Sequence, residues 1–520
     1  MESKTPEGIL RAAEELQAAG RYADAAPLWR DLAPRYPDNI PLYLALARSL
    51  EGSGNAAQAI AELEALRANA PLPAEAESEL FMLRLRAGSW DGFDTSAERL
   101  LALARAGAPV NPSTLVYAPA VTGDLLLRSA RACAHVIAAA APRLPPAPAP
   151  AGRIRVGYLS VDYRQHHPVG RHMLEVFRRH DRDAFEVFGY DLAAPSHKSE
   201  RFAAAVDHMR PLHGLDDAAA VAAIRADGIE VLVELGGYHA DARLGIPARR
   251  PAPVQVNFLG YGGTTGADFI DYIIGDSAVI PSTAEQHFSE AIVRLPVTYF
   301  PGYWARPEAT PTTRAELGLP EEALVFCAFA ANAKINPPVF ALWLDLLKQT
   351  PGSVLWLRAR GAEMASALRR RAQDAGVEPG RLVFAPAASE PGHLGRLVCA
   401  DLFLDTFPYS AGSTAADLLW AGVPVLTRAG DTFLSRMAAS IVRAAGTPEL
   451  VASDPDTYRA RALALAGDRT GLTHYREQLI ATRGTSPLFD AARFTRDLEA
   501  AYAGMSRRLR AGVAPAAFTV

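Results

Sequence analysis

The sequence predicts an α/β fold of two lobes that face each other across a cleft, preceded by an all-α arm of helical repeats. Three observations support this prediction. Glycines recur every 34 residues in the first part of the chain. Short apolar runs then alternate with amphipathic segments, which is typical of parallel-sheet α/β units. A proline-rich stretch separates the two patterns and indicates the boundary between arm and lobes.

The arm is predicted over residues 1–141, where helical periodicity accompanies a repeat that can be counted. Gly20, Gly54 and Gly88 lie 34 residues apart. Glycine permits the tight turn between paired helices, and a proline at a matching interval closes the second helix. This pattern resembles the tetratricopeptide repeat. The arm is therefore expected either to cap the lobes or to serve as a platform for a protein substrate or partner.

The rest of the chain divides into a linker, two lobes and a C-terminal segment. The proline-rich linker is predicted at 142–152, the first lobe at 153–310 and the second lobe at 311–480. Residues 481–520 are expected to form one helix that packs on the body, followed by a loose tail. The predicted strands are 154–162, 185–192, 230–236, 254–260 and 271–276 in the first lobe, and 324–330, 353–360, 381–386, 401–407 and 423–427 in the second.

The composition argues against several classes of protein. The 520-residue chain has a net charge of −4 and no long run of Lys or Arg, so nucleic-acid binding is not expected. Its N-terminus lacks a signal-peptide pattern, and no apolar stretch is long enough to span a membrane. The three cysteines, Cys133, Cys327 and Cys399, have neither disulfide nor zinc-site spacing. We therefore expect a cytoplasmic protein without membrane contacts.

Two histidines and a lysine follow predicted strands, where open α/β sheets bind ligands. His166 and His167 lie after the strand at 154–162, and a histidine there can contact an acceptor hydroxyl or a diphosphate. The pair could equally be polar surface. Lys334 follows the strand at 324–330 at the entry to the next helix, where it can neutralise a pyrophosphate leaving group.

The segment 401–427 carries the clearest signal for a ligand. A strand is followed by a turn of small residues, 410–414, that opens a helix. Small residues leave the first helix amides uncovered, and the hydroxyls of Ser413 and Thr414 can bond phosphate oxygens or simply cap the helix. Asp417, one turn on, can accept a hydrogen bond from a ribose hydroxyl or merely favour the helix dipole. The segment therefore predicts an anion site.

A metal site is not expected from the sequence. The Asp-X-Asp triplets at 181–183 and 454–456 lie away from the carboxyl ends of the predicted strands and fit turns or helix starts. Charge on a leaving diphosphate would then be met by helix amides and Lys334, without a cofactor or a divalent cation.

Several motifs together resemble the protein O-GlcNAc transferase family, tetratricopeptide-linked glycosyltransferases of the GT-B fold with two Rossmann-like lobes. The resemblance runs from about residue 154 to residue 480. The segments that carry it are GYLSVDYRQHHP, FEVFGYDL, GGYHADAR, RRPAPVQVNFLGYGGTTGADFIDYIIGD, PGSVLWLRAR and LLWAGVPVLTRAGDTFLSRMAAS. On these motifs the chain is identified as a bacterial member of the family.

The resemblance implies roles for residues of the second lobe, which would bind a donor such as UDP-GlcNAc. Lys334 corresponds to a lysine that contacts the diphosphate. His393 corresponds to the histidine that precedes the nucleobase-contacting arginine, here Arg396. The phosphate-binding helix start and the acid that contacts ribose correspond to four positions: Gly412, Ser413, Thr414 and Asp417.

In the first lobe the resemblance implies an active-site histidine and an acceptor side. The histidine corresponds to His166 when counted from Asp162 and to His167 when counted back from Phe185, and the His-Pro pair favours His167. The matched segment GGYHADAR supplies two candidates for the acceptor side: Tyr238 and His239.

Four positions depart from the family pattern, and each removes a polar donor from the expected pocket. A lysine that helps to hold uridine in animal members is replaced by Glu390, and a histidine before the two hydroxyl residues by Gly412. Polar residues just before Lys334 are replaced by Ala330 and Ala331. The sugar and the nucleobase of the donor therefore remain open.

The resemblance implies an inverting, metal-independent transfer of GlcNAc from UDP-GlcNAc to Ser or Thr of a protein that enters from the repeat side. One alternative is a nucleotide-binding scaffold or adaptor with little turnover. Another is a transferase of the same fold that uses GDP-fucose or UDP-glucose. Catalysis is favoured because five expected residues are present: Lys334, His393, Ser413, Thr414 and Asp417.

Overall fold

The structure, a computed structural model, describes residues 5–145, 147, 151–164, 167–194, 200–239, 241–358 and 361–520. Within these residues the chain forms a helical arm followed by two α/β lobes, so the predicted fold class is confirmed. The linker predicted at 142–152 lies partly outside the described residues. None of the described helices is both long and apolar enough to cross a membrane.

The arm is built from helices in direct succession. The repeat glycines Gly20, Gly54 and Gly88 have φ angles of 72°, 83° and 69°, the left-handed conformation that a turn after a helix requires and that glycine adopts without strain. The helices are α1 (Pro6–Ala18), α2 (Tyr22–Leu32), α3 (Ile40–Gly52), α4 (Ala56–Asn69), α5 (Ala74–Ala87), α6 (Phe93–Arg105), α7 (Pro112–Leu115) and α8 (Gly123–Ala139).

The two halves of the arm have different cores. Helices α1 to α4 and one face of α5 enclose a cluster of their own that includes Trp29 and Leu46. From Phe81 onward the arm shares one continuous core with both lobes. Trp90, for example, packs edge-on against Phe340, with 5.7 Å between the ring centroids. The second half of the arm is therefore part of the same folded body as the lobes.

The first lobe begins at Ile154 and is a parallel sheet with helices on its faces. Most of its strands are buried on both faces, which is why these strands appear in the sequence as short apolar runs. The strands are β1 (Ile154–Ser160), β2 (Phe185–Asp191), β3 (His208–Pro211), β4 (Val231–Glu234), β5 (Val254–Asn257), β6 (Tyr272–Gly275) and β7 (Ala291–Arg294). The helices are α9 (Pro168–Arg179), α10 (Glu200–Ala203), α11 (Asp217–Ala226) and α12 (Gly245–Ala248).

The second lobe repeats this architecture. Its strands are β8 (Val325–Ala328), β9 (Val354–Leu357), β10 (Leu382–Phe384), β11 (Leu402–Leu404), β12 (Val425–Arg428) and β13 (Val451–Ala452). Its helices are α13 (Pro337–Gln349), α14 (Ala362–Asp374), α15 (Glu390–Arg396), α16 (Ser413–Trp420), α17 (Phe433–Ala444), α18 (Pro455–Gly467) and α19 (Arg469–Thr482). All pairings between these strands are parallel.

The C-terminal segment returns to the first lobe as helix α20 (Ala491–Arg510) and strand β14 (Phe518–Thr519). Arg510 donates to the fully buried carboxylate of Glu230 at 2.7 Å. Phe518 pairs in parallel with Val293 of β7, so the tail that the sequence predicted to be loose is an edge strand. Two paired residues give too short an apolar run to be recognised in a sequence.

The strand order places one crossover point in each sheet. Among the described residues the first sheet has the order β14-β7-β6-β5-β4-β1-β2-β3 and the second has β10-β9-β8-β11-β12-β13. Strand β1 therefore lies beside β4, and β8 lies beside β11, although neither pair is consecutive in the chain. Parallel sheets bind ligands at the carboxyl ends of strands where the order reverses. Two such points face each other here.

Candidate active site

A cavity of about 470 Å³ lies between the lobes at these two crossover points. The first lobe contributes the residues that follow β1 and β4, and the second lobe contributes those that follow β8, β9 and β11. Of the residues singled out in the sequence, the lining includes His167, His239, Lys334, Gly412, Ser413 and Thr414. His166 lies outside the described residues.

Lys334 supplies a positive charge on the second-lobe wall. It lies in a 3₁₀ turn directly after β8, and its Nζ donates to the Ser410 carbonyl at 2.8 Å. The ammonium also lies 3.8 Å from the centre of the Tyr409 ring, a cation–π contact. Burial lowers the pKa of Lys334 to about 8, and the nearby Asp405 carboxylate opposes this effect. The lysine is therefore cationic at neutral pH and close to its titration point.

Arg358 adds a second cation that the sequence analysis missed. It directly follows β9, next to β8 in the sheet, and lines the same cavity. Its position at a strand end is the same signal that identified Lys334, but it falls within a longer predicted strand, 353–360. Together the two side chains make this wall suited to a phosphate or a diphosphate.

The start of α16 completes the second-lobe wall. Gly412, Ser413 and Thr414 all line the cavity, and no side chain caps the helix at Gly412. The turn before the helix is held by the buried Asp405, whose Oδ1 accepts from the Thr406 amide at 2.8 Å and from the Ala411 amide at 2.9 Å. Uncapped amides at a helix start attract anions.

On the opposite wall, a pair of groups follows β1. His167 is the residue before α9, and its Nδ1 lies 3.3 Å from Oδ1 of Asp162. A Cβ at Gly170 would come within 2.3 Å of the Asp162 carbonyl oxygen, so only glycine lets α9 approach this loop. Burial and the charges of Arg164 and Arg171 lower the pKa of His167 to about 4. The imidazole is neutral at pH 7.

His239 reaches the cavity from the loop after β4. Its Nε2 lies 2.8 Å from the Gly260 carbonyl oxygen and must donate to it, which leaves Nδ1 as the free acceptor. Burial by the surrounding protein lowers the pKa of His239, although one edge of its imidazole ring is exposed to the cavity. The loop is held from below by the buried Glu234, which accepts from the Gly236 amide at 2.9 Å and from the Gly237 amide.

Tyr238 is turned away from the cavity. Its hydroxyl donates to the carbonyl oxygens of Thr265 at 2.6 Å and of Ala130 in α8 at 2.9 Å. The side chain is buried between the first lobe and the arm. The structure thus brings His239, but not its neighbour, to the space between the lobes.

His393 and Arg396 lie behind Phe329, a residue of the cavity wall. Arg396 is buried, and its guanidinium donates to the Pro386 carbonyl at 2.6 Å and lies 3.0 Å from Nδ1 of His393. Burial and this guanidinium lower the pKa of His393 to about 4. The same guanidinium lies 5.2 Å from the centre of the Phe329 ring. The two residues form one rigid unit beside the cavity.

Asp417 is buried beside the cavity and is bonded across the cleft. Its carboxylate accepts from Arg171 of α9 at 2.9 Å and from Arg306 at 3.2 Å, and Arg171 also donates to Glu390 at 3.2 Å. One turn away, Nε2 of His172 lies 2.7 Å from Oγ of Ser413. Sequence analysis missed these contacts because the partners are between 111 and 246 positions apart, and all but the Arg306 pair join different lobes.

The two walls of the cavity therefore differ in chemistry. The second lobe presents cations and helix amides, and the first presents imidazoles, the carboxylates of Asp162 and Asp241 and one guanidinium, that of Arg164. Within the described part of the chain, no group of three or more His, Cys, Asp or Glu side chains could hold a metal ion. Such a site can bind a polyanion on one side and accept a proton on the other.

Comparison with known proteins decides the family. The model for glycosyl transferase family 41 matches residues 135–306 and 305–498, well over half of the chain. The chain belongs to glycosyl transferase family 41. The first matched segment contains the first-lobe wall of the cavity, and the second contains the second-lobe wall. The boundary between the segments falls between the lobes of this family 41 protein.

Relatives of this family 41 chain include eukaryotic proteins. It is 34% identical over 397 residues to the probable UDP-N-acetylglucosamine–peptide N-acetylglucosaminyltransferase SEC of Arabidopsis thaliana, covering 72% of this chain and 40% of that protein. It is 27% identical over 483 residues to the UDP-N-acetylglucosamine–peptide N-acetylglucosaminyltransferase of Caenorhabditis elegans, covering 69% of this chain and 41% of that protein. The chain thus spans about two fifths of the length of these relatives.

A solved structure extends the likeness to nearly the whole chain. The O-GlcNAc transferase of Thermobaculum terrenum superimposes with a TM-score of 0.81 at 30% identity, covering 97% of this chain and 98% of that one. The arm, the two lobes and the C-terminal helix therefore form an arrangement that the Thermobaculum protein shares.

The arm of this family 41 chain carries a groove of its own, of about 1040 Å³. Its lining includes Trp29, Glu14 and Glu79 from the arm helices and Asp241 from the first lobe. Asp241 also lines the cavity between the lobes. The groove of the arm and the interlobe cavity therefore meet at this residue.

Proposed function

We propose that the protein is a glycosyltransferase that moves GlcNAc from UDP-GlcNAc to Ser or Thr of an acceptor protein, with inversion and without a metal ion. The observation that carries the proposal is the opposed chemistry of the cavity walls. Cations and helix amides face an Asp162–His167 pair across a space of about 470 Å³. The names of the Arabidopsis and Caenorhabditis relatives, UDP-N-acetylglucosamine–peptide N-acetylglucosaminyltransferases, support this donor and a peptide acceptor.

The second lobe would bind the donor diphosphate. Lys334, Arg358 and the amides at the start of α16 supply positive charge at one wall, the function that a divalent cation serves in other transferases. Because the pKa of Lys334 is about 8, the ammonium is charged at neutral pH. Its attraction for the leaving diphosphate becomes stronger as negative charge builds on the diphosphate. Leaving-group stabilisation is the main task that we assign to this wall.

The first lobe would activate the acceptor. The acceptor hydroxyl attacks the anomeric carbon on the side opposite to the diphosphate, so that the new C–O bond forms as the bond to the phosphate oxygen breaks. The proton passes to the Asp162–His167 pair, and the electron pair of the broken bond leaves with UDP. Asp162, at 3.3 Å, stabilises the imidazolium that forms in His167. A single displacement of this kind inverts the anomeric centre.

The arm would deliver the acceptor. Its groove meets the interlobe cavity at Asp241, so an extended segment lying in the groove has a direct path to the first-lobe wall. The groove of about 1040 Å³ is large enough for several residues of a polypeptide. This continuity favours a protein acceptor over a free sugar. The cytoplasmic location and the lack of nucleic-acid partners expected from the sequence remain predictions.

The first experiment is calorimetric titration of the purified protein with UDP and with GDP in the presence of EDTA, followed by hydrolysis of UDP-GlcNAc under the same conditions. We expect UDP binding and slow hydrolysis, both unaffected by the chelator. A His167→Ala variant is the matched control, because it should keep UDP binding and lose hydrolysis.

The alternative functions give different results in the same experiment. Preference for GDP would indicate a fucosyl donor, and hydrolysis of UDP-glucose in place of UDP-GlcNAc would indicate a glucosyl donor. Binding without any turnover on either donor would indicate a nucleotide-binding scaffold. Loss of activity with EDTA and its return with added Mg²⁺ would contradict the metal-independent mechanism.

A further inference from the structure

Four charged side chains form a buried cluster across the cleft, beside the cavity. Arg171 comes from the first turn of α9, Arg306 from the segment that joins the lobes, Glu390 from the start of α15 and Asp417 from α16. The ring of Tyr303 lies 4.6 Å from the guanidinium of Arg171 and 5.2 Å from that of Arg306. We call these four charged residues the cross-cleft cluster.

The cross-cleft cluster is balanced in charge, with two cations and two carboxylates. Its side chains are between 3% and 17% exposed, so solvent screens their charges only weakly. Three of the members belong to the second lobe or to its connection, and only Arg171 is contributed by the first lobe. Without Arg171 the remaining three would carry a net negative charge beside a site for an anionic nucleotide.

Arg171 also fixes the carboxylate of Asp417. One oxygen of Asp417 accepts from Arg171 at 2.9 Å, and the other accepts from Arg306 at 3.2 Å. Each carboxylate oxygen can accept more than one hydrogen bond, so both keep capacity for a ribose hydroxyl. The two guanidinium groups therefore orient Asp417 and leave it competent to bind a ligand.

We propose that Arg171 is a positioning residue for the donor: from the first lobe it neutralises Glu390 and orients Asp417, so that Asp417 can receive the nucleotide. The inference rests on the proposed function, since it takes Asp417 as the residue that receives the ribose. It makes a residue of the first lobe a determinant of donor affinity in the second.

The test compares UDP affinity and UDP-GlcNAc hydrolysis in the full-length protein and in variants. In Arg171→Ala we expect the Kd for UDP and the KM for UDP-GlcNAc to rise about 10- to 100-fold, the effect of losing a charge-assisted hydrogen bond. The kcat should change less than the Kd does, because Arg171 does not line the cavity where the reaction occurs, although loss of its charge raises the pKa of His167 towards the ordinary value. Arg178→Ala is the matched control: it removes a more exposed arginine of the same helix, and UDP affinity should be unchanged.

A second substitution separates charge from simple adhesion between the lobes. Glu390→Gln removes the carboxylate that Arg171 neutralises without adding a cation, so the double variant Arg171→Ala/Glu390→Gln should bind UDP more tightly than Arg171→Ala. If Arg171 served only to hold the lobes together, the double variant would bind UDP no better than Arg171→Ala, and that result would overturn the proposal. If Arg171→Ala does not fold, Arg171→Lys takes its place: this variant keeps the charge in a smaller group, and its Kd for UDP should lie above that of the parent.

The outcomes distinguish this inference from the function on which it rests. If the parent binds no UDP, the proposed donor is wrong and the role of Arg171 falls with it. If the parent binds UDP and hydrolyses UDP-GlcNAc, but Arg171→Ala and Arg171→Lys do so equally well, only the role of Arg171 is contradicted.

Discussion

At the scale of single residues, the proposed reaction depends on the charge of a lysine that is costly to bury. Lys334 is held by the Ser410 carbonyl at 2.8 Å and by the Tyr409 ring at 3.8 Å. We expect Lys334→Ala to lower kcat about 100- to 1000-fold, the effect of removing one preorganised donor from a transition state. The Kd for UDP should change far less, because ground-state binding has other contacts. Steady-state hydrolysis and UDP titration check this, and equal turnover in the variant would refute the assigned role.

The same lysine predicts a pH dependence. Burial lowers the pKa of Lys334 to about 8, so the ammonium is present below that pH and is lost as the pH rises through it. Activity needs the charged form, and kcat/KM reports ionisations of the free enzyme, so kcat/KM should fall above about pH 8. In Lys334→Arg this fall should disappear from the accessible range, because a guanidinium stays charged. A profile that falls identically in both proteins would assign the ionisation to another group.

Residue types near strand ends were predictable from the sequence, but their partners were not. Lys334, Ser413 and His239 follow apolar runs, and the structure brings all three to one cavity. The geometry supports His167, which faces Asp162, but it does not test His166, which is outside the described residues. Contacts between lobes depend on how two sheets pack, and no local pattern in the sequence records that.

At the scale of elements, helix α20 ties the end of the chain to the first lobe. The carboxylate of Glu230 is fully buried and accepts from Arg510 at 2.7 Å and from Ser506. Arg510→Ala would leave this buried charge with less compensation, and we expect a loss of about 2 kcal/mol in the free energy of unfolding. The loss should be smaller than for a fully buried pair because the Arg510 side chain is 37% exposed. Denaturant unfolding measures it.

The matched control for this prediction lies on the same helix. Arg507 is exposed, one turn before Arg510, and Arg507→Ala should change the free energy of unfolding by less than about 0.5 kcal/mol. Equal losses in the two variants would mean that helix propensity or surface charge, and not the buried carboxylate, produces the effect.

Elements differed in how well the sequence predicted them. Ten strands gave apolar runs at the observed places, whereas β3, β7, β13 and β14 were missed. Strand β3, with the sequence His-Met-Arg-Pro, is only partly buried at the edge of its sheet and lacks an apolar pattern. Strand β14 has only two residues. Strand β7, with the sequence Ala-Ile-Val-Arg, is buried only at its two central residues, so its apolar run is short. Edge strands are thus the least visible, since burial on both faces is what creates the signal.

At the scale of the whole molecule, the arm consists of two parts with different cores. Its first half has a separate core, and its second half shares a core with the lobes. We expect a variant without residues 1–36 to fold and to bind UDP with little change in Kd. A variant without residues 1–110 should fail to fold, because it loses Phe81, Trp90 and their neighbours from the continuous core. Thermal unfolding and UDP titration test both, and a folded, active second variant would contradict the shared core.

The second half of the arm also supports the turn that carries Lys334. Asn332 of that turn donates to the Arg86 carbonyl at the end of α5 at 2.9 Å. Tyr117 packs against Tyr409, the ring under the Lys334 ammonium, with 5.1 Å between the centroids. The arm therefore contributes to the geometry of the donor wall as well as to the proposed path of the acceptor.

This division has a consequence for recombination between related chains. The proline-rich segment looks like the obvious place to exchange one arm for another, yet a crossover there would separate Tyr117 and Arg86 from the wall they support. A crossover between α4 and α5 would keep those contacts with the lobes and would cut only the small core of the first repeats. Chimeric proteins with altered acceptor preference should therefore be joined near residues 70–73, well before the apparent linker.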